Sequence, residues 1–212
     1  MAKHLTQKQR AALSEKYSKP QSRRLEGTRK LLYSFLIVSE GTRTEPDYFR
    51  HFTTRRSRIQ TVGADRSTMK LLEDALRIRD LDTFDYKWLV FDKDDNEDFN
   101  EAIRLAEDKG FQCAWSNESF ELWFCLHFIN LTSAVSRKQY VEILEREVRK
   151  YIPNFSYRKS GDAMFDILRR YGDEEVAKKR AQRLRLLYDG VDYASHNPCT
   201  MVDILVEKLE TM

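Results

Sequence analysis

Short, mainly apolar segments alternate with amphipathic segments through residues 31–117, and this alternation limits the folds open to the chain more than any other feature. Apolar runs of this length suit strands that are buried on both faces. The segments between them repeat apolar residues at helical spacing. Regular alternation of strands and helices favours a parallel sheet covered by helices, so we predict an α/β fold. The predicted strands are residues 31–38, 57–64, 85–92 and 111–117, and the predicted helices cover residues 44–56, 67–81 and 96–110.

The first predicted strand leads almost directly into a helix. The strand "LLYSFLIV" ends at residue 38, and Thr44 and Pro46 then stand where a helix cap and a first-turn proline are common. Glu45 and Asp47 place negative charge near the helix start, where the helix dipole favours it. The loop between strand and helix is therefore short, and any acid in it lies at the carboxyl end of the sheet.

The second part of the chain is predicted to be mainly helical. Its amphipathic segments are residues 120–129, 136–152, 161–171, 173–189 and 199–210. We therefore divide the chain into three parts: an N-terminal arm of residues 1–29, a core of residues 30–130, and a helical extension of residues 131–212 that packs on the core.

Basic residues are concentrated at the N-terminus. Residues 1–30 contain nine Lys or Arg and only two Glu, although the net charge of the whole chain is +3. Weak periodicity and a proline at position 20 predict a loose or flexible arm. Such an arm either contacts phosphates or an acidic partner, or is a solvated tail that happens to be basic. The sequence leaves both interpretations open.

Several classes of protein are disfavoured by composition. No apolar run approaches the roughly 18 residues that a membrane span requires, and the N-terminus lacks the apolar core of a signal peptide. We therefore expect a cytoplasmic protein without membrane contacts. Cys113, Cys125 and Cys199 are widely spaced and form no CxxC pair, so they predict neither a disulfide framework nor a zinc site.

Acidic residues stand where two of the predicted strands end. Glu40 follows the first strand, and Asp92 and Asp94 close the third in "FDKDD". Neighbouring strands lie about 4.8 Å apart, so these carboxylates could share a cation if strands one and three are adjacent. Asp92 and Asp94 are two residues apart and would face the same side if the strand continued through them.

Oxygen ligands of this kind favour Mg²⁺ or Mn²⁺. Such ions bind phosphate oxygens and activate water, which is the chemistry of phosphodiester cleavage. The alternative is structural, because an Asp after a strand is often a turn former or helix cap. Spacing alone does not decide between these interpretations.

Basic residues near the acids, and on one predicted helix, are candidates for nucleic-acid contact. Arg43 and Lys93 flank the acids and could hold a phosphate, although exposed basic residues usually need no such role. The run "KKRAQRLR" at residues 178–185 places five cations on one helix, as either a nucleic-acid track, a docking surface or a solvated face. Its candidate contacts are Lys178, Lys179, Arg180 and Arg183.

Four segments together resemble one protein family. "SEGTRTEPDYF", "FDKDD", "SNESFELWFCLHF" and "NPCTMVDILVEKL" follow one another with the order and spacing of the RloB family, a TOPRIM-like group of prokaryotic proteins. The resemblance runs from about residue 30 to the C-terminus. It implies a TOPRIM-like sheet in the order 2-1-3-4, with Glu40, Asp92 and Asp94 as ligands of Mg²⁺ or Mn²⁺. Glu118 departs from the family pattern, since a proline or small residue is usual there.

The resemblance also implies a function. RloB-like proteins occur beside restriction and anti-phage loci, often with an ATPase of the ABC or AAA type, and are similar to TOPRIM nucleases of phage-defence systems. We therefore expect a metal-dependent nuclease acting on RNA or DNA with an ATPase partner, and leave open a homo-oligomer. Glu121 lies in the family pattern "FELW" and is a further ligand or proton-transfer candidate, unless it only stabilises a helix N-terminus. The alternative function is a non-catalytic docking or regulatory subunit.

Overall fold

Five strands form one mostly parallel sheet in the computed structural model, which describes residues 33–54, 57–64, 68–94 and 96–212. The strand order is β2-β1-β3-β4-β5, so the predicted order of the first four strands is confirmed. The first four are parallel to their neighbours and β5 is antiparallel. The strands are β1 Tyr33–Ser39, β2 Ser57–Gly63, β3 Tyr86–Asp92, β4 Gln112–Asn117 and β5 Cys199–Thr200.

Eight α-helices are seen in the described ranges. We number them α1 Thr44–Arg50, α2 Thr68–Leu76, α3 Phe99–Asp108, α4 Glu121–Leu126, α5 Arg137–Val148, α6 Gly161–Tyr171, α7 Glu174–Arg185 and α8 Val202–Thr211. None of them has the length and apolar character that crossing a bilayer demands.

The strands are apolar on both faces because helices cover both faces. Leu36 and Val38 of β1 pack in one apolar cluster with α2 and α3. Phe35 and Ile37, which alternate with them, pack in a second cluster with α1 and the helices from α4 onward. Side chains of a strand alternate between faces, so this continuous apolar run is what a doubly covered sheet requires.

The fifth strand differs from the prediction. Residues 199–210 were expected to be wholly helical, but Cys199–Thr200 pair with the end of β4 and the helix begins only at Val202. The Thr200 hydroxyl lies 2.8 Å from that of Ser116, and the Met201 amide donates to the Trp115 carbonyl at 2.9 Å. These long-range polar contacts outweigh local helix propensity at the two residues. The predicted arm lies outside the described residues.

Helices α1 and α6 touch almost backbone to backbone. A Cβ added at Gly161, the first residue of α6, would overlap the Thr44 carbonyl oxygen and the Tyr48 amide nitrogen of α1. Tyr48 is buried at this contact, and its hydroxyl accepts a hydrogen bond from Trp123 Nε1 at 2.9 Å. Glycine at position 161 therefore sets how closely the helical part approaches α1, which begins beside the acidic end of β1.

We expect Gly161→Ala to destabilise the protein. Alanine is the better helix former by up to about 1 kcal/mol, but overlap with rigid backbone costs more, so the net loss should be about 2 kcal/mol. Thermal unfolding measures it as a decrease in Tm of about 5 °C. The neighbouring Ser160→Ala is the matched control, because the Ser160 side chain makes no capping hydrogen bond. A Tm of Gly161→Ala equal to that of the control would contradict the close approach.

Candidate functional site

An acidic cavity of about 340 Å³ lies at the carboxyl end of β1 and β3. All four acids predicted as catalytic or metal-binding residues line it. A fifth acid, Glu45 of α1, lines it as well, together with three basic side chains. The acids are Glu40, Glu45, Asp92, Asp94 and Glu121, and the basic residues are Arg43, Arg137 and Lys159.

Strand pairing brings Glu40 and Asp92 together. Strands β1 and β3 are neighbours, as the prediction of a shared site required, and the Glu40 amide continues the ladder by donating to the Val90 carbonyl at 2.9 Å. The Asp92 amide lies 3.4 Å from Glu40 Oε2, a weak hydrogen bond. Both carboxylates are therefore fixed by backbone that belongs to the sheet, not to a mobile loop.

Asp94 reaches the cavity in a different way from that expected. Strand β3 ends at Asp92, and Asp94 lies in a turn with a φ of 39°, in the left-handed region. The argument from strand alternation therefore does not apply to it. Asp94 remains 46% exposed, whereas only 14% of the Asp92 side chain is exposed. The two acids thus occupy unlike environments, although both line the cavity.

Arg137 joins the two aspartates. Its Nη2 lies 2.8 Å from Asp92 Oδ2 and 3.1 Å from Asp94 Oδ2. Burial alone lowers the pKa of Arg137, but the Asp92 and Asp94 carboxylates outweigh this effect and leave its pKa raised. Arg137 is therefore a permanent cation at the place where the carboxylates converge.

The start of α5 fixes the backbone of Arg137. Ser136 and Gln139 form a capping box, in which each side chain bonds the other residue's backbone amide. The Arg137 amide also donates to Glu118 Oε2 at 3.2 Å. Glu118, the acid that departs from the family pattern, thus anchors α5 and is absent from the cavity lining.

Glu45 is the most deeply placed acid that sequence patterns did not single out for the site. Only 7% of it is exposed, and its carboxylate lies over Gly41, where a Cβ would overlap it. Burial raises the pKa of Glu45 to about 7, and repulsion by Glu121 and Glu40 adds to the effect. Burial, with repulsion by Glu45 and Glu121, likewise raises the pKa of Asp92 well above its ordinary value.

Glu121 is oriented by the segment that joins α5 to α6. The Tyr157 hydroxyl donates to Glu121 Oε1 at 2.9 Å, and the Tyr157 amide is held by Glu145 Oε1 at 2.8 Å. Burial raises the pKa of Tyr157, as does the nearby negative charge of Glu121, so the tyrosine stays a donor. Lys159 belongs to the same segment and lines the cavity. The helical part of the chain therefore supplies several side chains of this site.

The donor set fits a hard cation. The cavity offers carboxylate oxygens, more acidic than basic groups, and a buried aspartate whose ionised form is destabilised without further positive charge. Within the described part of the chain, the triad whose oxygens lie within 4.8 Å of one another is elsewhere, at Glu174, Glu175 and Glu210. There the Lys178 ammonium bonds all three carboxylates and already supplies the cation.

The predicted nucleic-acid contacts occupy different places. Arg43 is exposed and lines the cavity, whereas Lys93 Nζ donates to the Asp94 carbonyl at 2.9 Å. On α7, the Lys178 side chain is only 11% exposed, and Arg180 donates to the Leu126 carbonyl at 2.6 Å. The exposed cations of the run are Lys179 and Arg183. Part of the basic run therefore serves the packing of α7.

Four residues of the site were missed as functional candidates: Arg137, Tyr157, Lys159 and Glu45. The "SRKQ" capping box at residues 136–139 locates the start of α5 in the sequence. No local signal shows that this helix start faces the acids, because the contact spans a chain separation of 45 residues. Glu45 was interpreted as a helix-start acid, and its burial depends on tertiary packing.

Glu45→Gln should stabilise the metal-free protein at alkaline pH. The folded-state pKa of about 7 exceeds the ordinary value of 4.5, so ionisation of Glu45 costs stability increasingly as pH rises between these values. We expect the variant to gain up to about 3 kcal/mol at pH 8 and less than about 1 kcal/mol at pH 5. Thermal unfolding in chelator at both pH values measures this difference.

The control for this prediction is Glu142→Gln, which removes an acid that is 61% exposed on α5. It should change stability little at either pH. Equal stability of Glu45→Gln and wild type at pH 8 would contradict the raised pKa.

Comparison with known proteins gives one match. A family model described as RloB-like protein matches residues 35–209. No curated protein and no solved structure matches the chain. The matched range includes β3, all of β1 except its first two residues, and every residue that lines the acidic cavity.

Proposed function

Because the chain belongs to the RloB-like family, we propose that it is a divalent-metal-dependent nuclease with its active centre in the acidic cavity. One observation carries the proposal: adjacent parallel strands present Glu40 and the buried Asp92 to a cavity that also contains cationic side chains. Carboxylates that bind metal and cations that bind phosphate are the two components of phosphodiester hydrolysis.

Glu40, Asp92 and Asp94 would hold Mg²⁺ or Mn²⁺. A bound ion would supply Lewis acidity toward a phosphate oxygen and lower the pKa of a water molecule. Arg43 and Lys159 are exposed at the cavity and would bind the flanking phosphates of the substrate.

We propose that two further acids of the cavity transfer protons. Tyr157 bonds Glu121 Oε1 and so fixes the carboxylate, whose Oε2 would accept a proton from the attacking water. Glu45, whose pKa burial raises to about 7 in the metal-free protein, would give its proton to the oxygen that leaves when the P–O bond breaks.

The proposal extends to a role in prokaryotic anti-phage defence beside an ABC- or AAA-type ATPase. Its support is the family resemblance of the four sequence segments. The substrate is proposed to be RNA or DNA, since the cavity offers contacts for phosphates.

A non-catalytic docking subunit is the second candidate. One observation favours it: Arg137 already pairs with Asp92 and Asp94 from within the chain, as a purely structural ion pair would. Lys179 and Arg183, exposed on α7, would then dock an acidic surface of the ATPase. This candidate predicts that partner affinity survives the loss of Asp92.

The nuclease proposal is tested with labelled transfer RNA, plasmid and single-stranded DNA in Mg²⁺ or Mn²⁺. We expect cleavage of one of them by the wild type, abolished by chelator and reduced about 100-fold or more by Asp92→Ala, as when a charge-stabilising group is removed. Asp108→Ala is the matched control, because Asp108 is an exposed acid on α3 that pairs only with Arg104 among the contacts described. It should leave cleavage unchanged.

Absence of cleavage by the isolated wild type would shift weight to a partner-gated enzyme or a docking subunit. Co-expression with a candidate ATPase partner of the ABC or AAA type then separates these two. Cleavage that appears with the ATPase and disappears with Asp92→Ala supports the gated enzyme. Retained ATPase binding by Asp92→Ala, without cleavage by either form, supports the docking subunit.

Asp92→Ala and Glu40→Ala should also leave the free energy of unfolding in metal-free buffer unchanged or slightly raised. Each variant removes one carboxylate from a group of acids that repel one another. This repulsion contributes to the raised pKa of Asp92. Thermal unfolding in chelator measures this. A large decrease in Tm for either variant would contradict the assignment of these residues to a metal site.

A further inference from the structure

Arg137 occupies the position that a shared cation would take. A single nitrogen, Nη2, approaches one carboxylate oxygen of Asp92 and one of Asp94. A divalent ion bound between the same oxygens would require distances of about 2.1–2.5 Å to each. The guanidinium and the ion would then repel each other at close range, so they compete for these two aspartates.

The guanidinium is incompletely paired in this position. Arg137 Nε is buried and makes no hydrogen bond to any described residue. A buried donor without a partner costs free energy, so the pose seen here does not use the whole fork of five N–H donors. That planar fork matches a phosphate better than it matches one oxygen from each of two separate carboxylates.

The side chain has an anchor and room to move. The capping box and the Glu118 contact hold the Arg137 backbone, whereas 36% of the side chain is exposed beside a cavity of about 340 Å³. A change of side-chain rotamer is therefore enough to carry the guanidinium from the aspartates to a ligand in the cavity. No helix needs to shift.

We propose that Arg137 is a displaceable internal cation, which holds Asp92 and Asp94 together without metal and transfers to the substrate phosphate when a divalent ion replaces it. This inference rests on the proposed function for the identity of the phosphate. It makes Arg137 both a competitor of the metal and a binding residue for the substrate. Without metal, Arg137 offsets part of the negative charge of the two aspartates, and it becomes a phosphate ligand only when the ion is bound.

The test measures metal binding and cleavage separately. Isothermal titration calorimetry with Mg²⁺ and Mn²⁺ measures the affinity of wild type, Arg137→Gln, Arg137→Lys and Lys138→Gln. The last variant is the control, because it removes an 87% exposed cation from the next position of α5. We expect Arg137→Gln to bind the ions about tenfold more tightly and to have a lower Tm in chelator. Lys138→Gln should match the wild type, and Arg137→Lys, which keeps the charge, should stay within about twofold of it.

Cleavage should change in the opposite direction. At saturating metal, Arg137→Gln should cleave at least about tenfold more slowly than wild type, because the phosphate contact is lost. The inference would be overturned if Arg137→Gln, Arg137→Lys and Lys138→Gln all bound the ions with the affinity of the wild type.

The two proposals fail in distinguishable ways. Tighter metal binding by Arg137→Gln in a protein that cleaves no nucleic acid would support the displaceable cation and count against the nuclease. Normal cleavage by the wild type with no change of metal affinity in Arg137→Gln would overturn the displaceable cation and leave the nuclease in place.

Discussion

The parallel pairing of β1 with β3 is the constraint on which the site depends. It brings the ends of two strands that are distant in sequence to one edge of the sheet, where Glu40 directly follows β1 and Asp92 ends β3. The cost of a charge at the end of a buried strand is offset there by the basic side chains around the cavity, whereas the neighbouring acids add to it. Glu40 follows an apolar strand because this edge of the sheet is where opposite charge can reach it.

The acidic side chains at this edge outnumber the basic ones, and this excess of negative charge indicates what the site could bind. Arg137 lowers the pKa of Asp92, yet burial and the neighbouring glutamates still hold it well above its ordinary value. A structural ion pair would be expected to lower the pKa of its carboxylate and so keep it ionised. The sheet-edge site has five acids and three basic side chains, so it has negative charge left over for a cationic ligand.

Sequence patterns predicted the α/β class, because apolar periodicity records which faces are buried, whereas the order of the first four strands was implied by the resemblance to the RloB family. They also indicated that Glu40 and Asp92 lie at one edge, since parallel strands end together. They did not predict β5, whose two residues are held by contacts with β4. Nor did they indicate Arg137, Tyr157 or Lys159 as site residues. Those side chains reach the cavity through tertiary packing, which no periodic pattern in the sequence reveals.

The helical part is consequently more than a cover for the sheet. It supplies the cation between the aspartates and the hydroxyl that orients Glu121, and it is held against α1 by a glycine that permits backbone contact. A core without these helices would retain its carboxylates at the strand ends but lose the groups that balance and orient them. Any partner that shifts α5 relative to the sheet would therefore change the charge of the site directly. The same contacts that stabilise the empty cavity make it sensitive to the packing of helices around it.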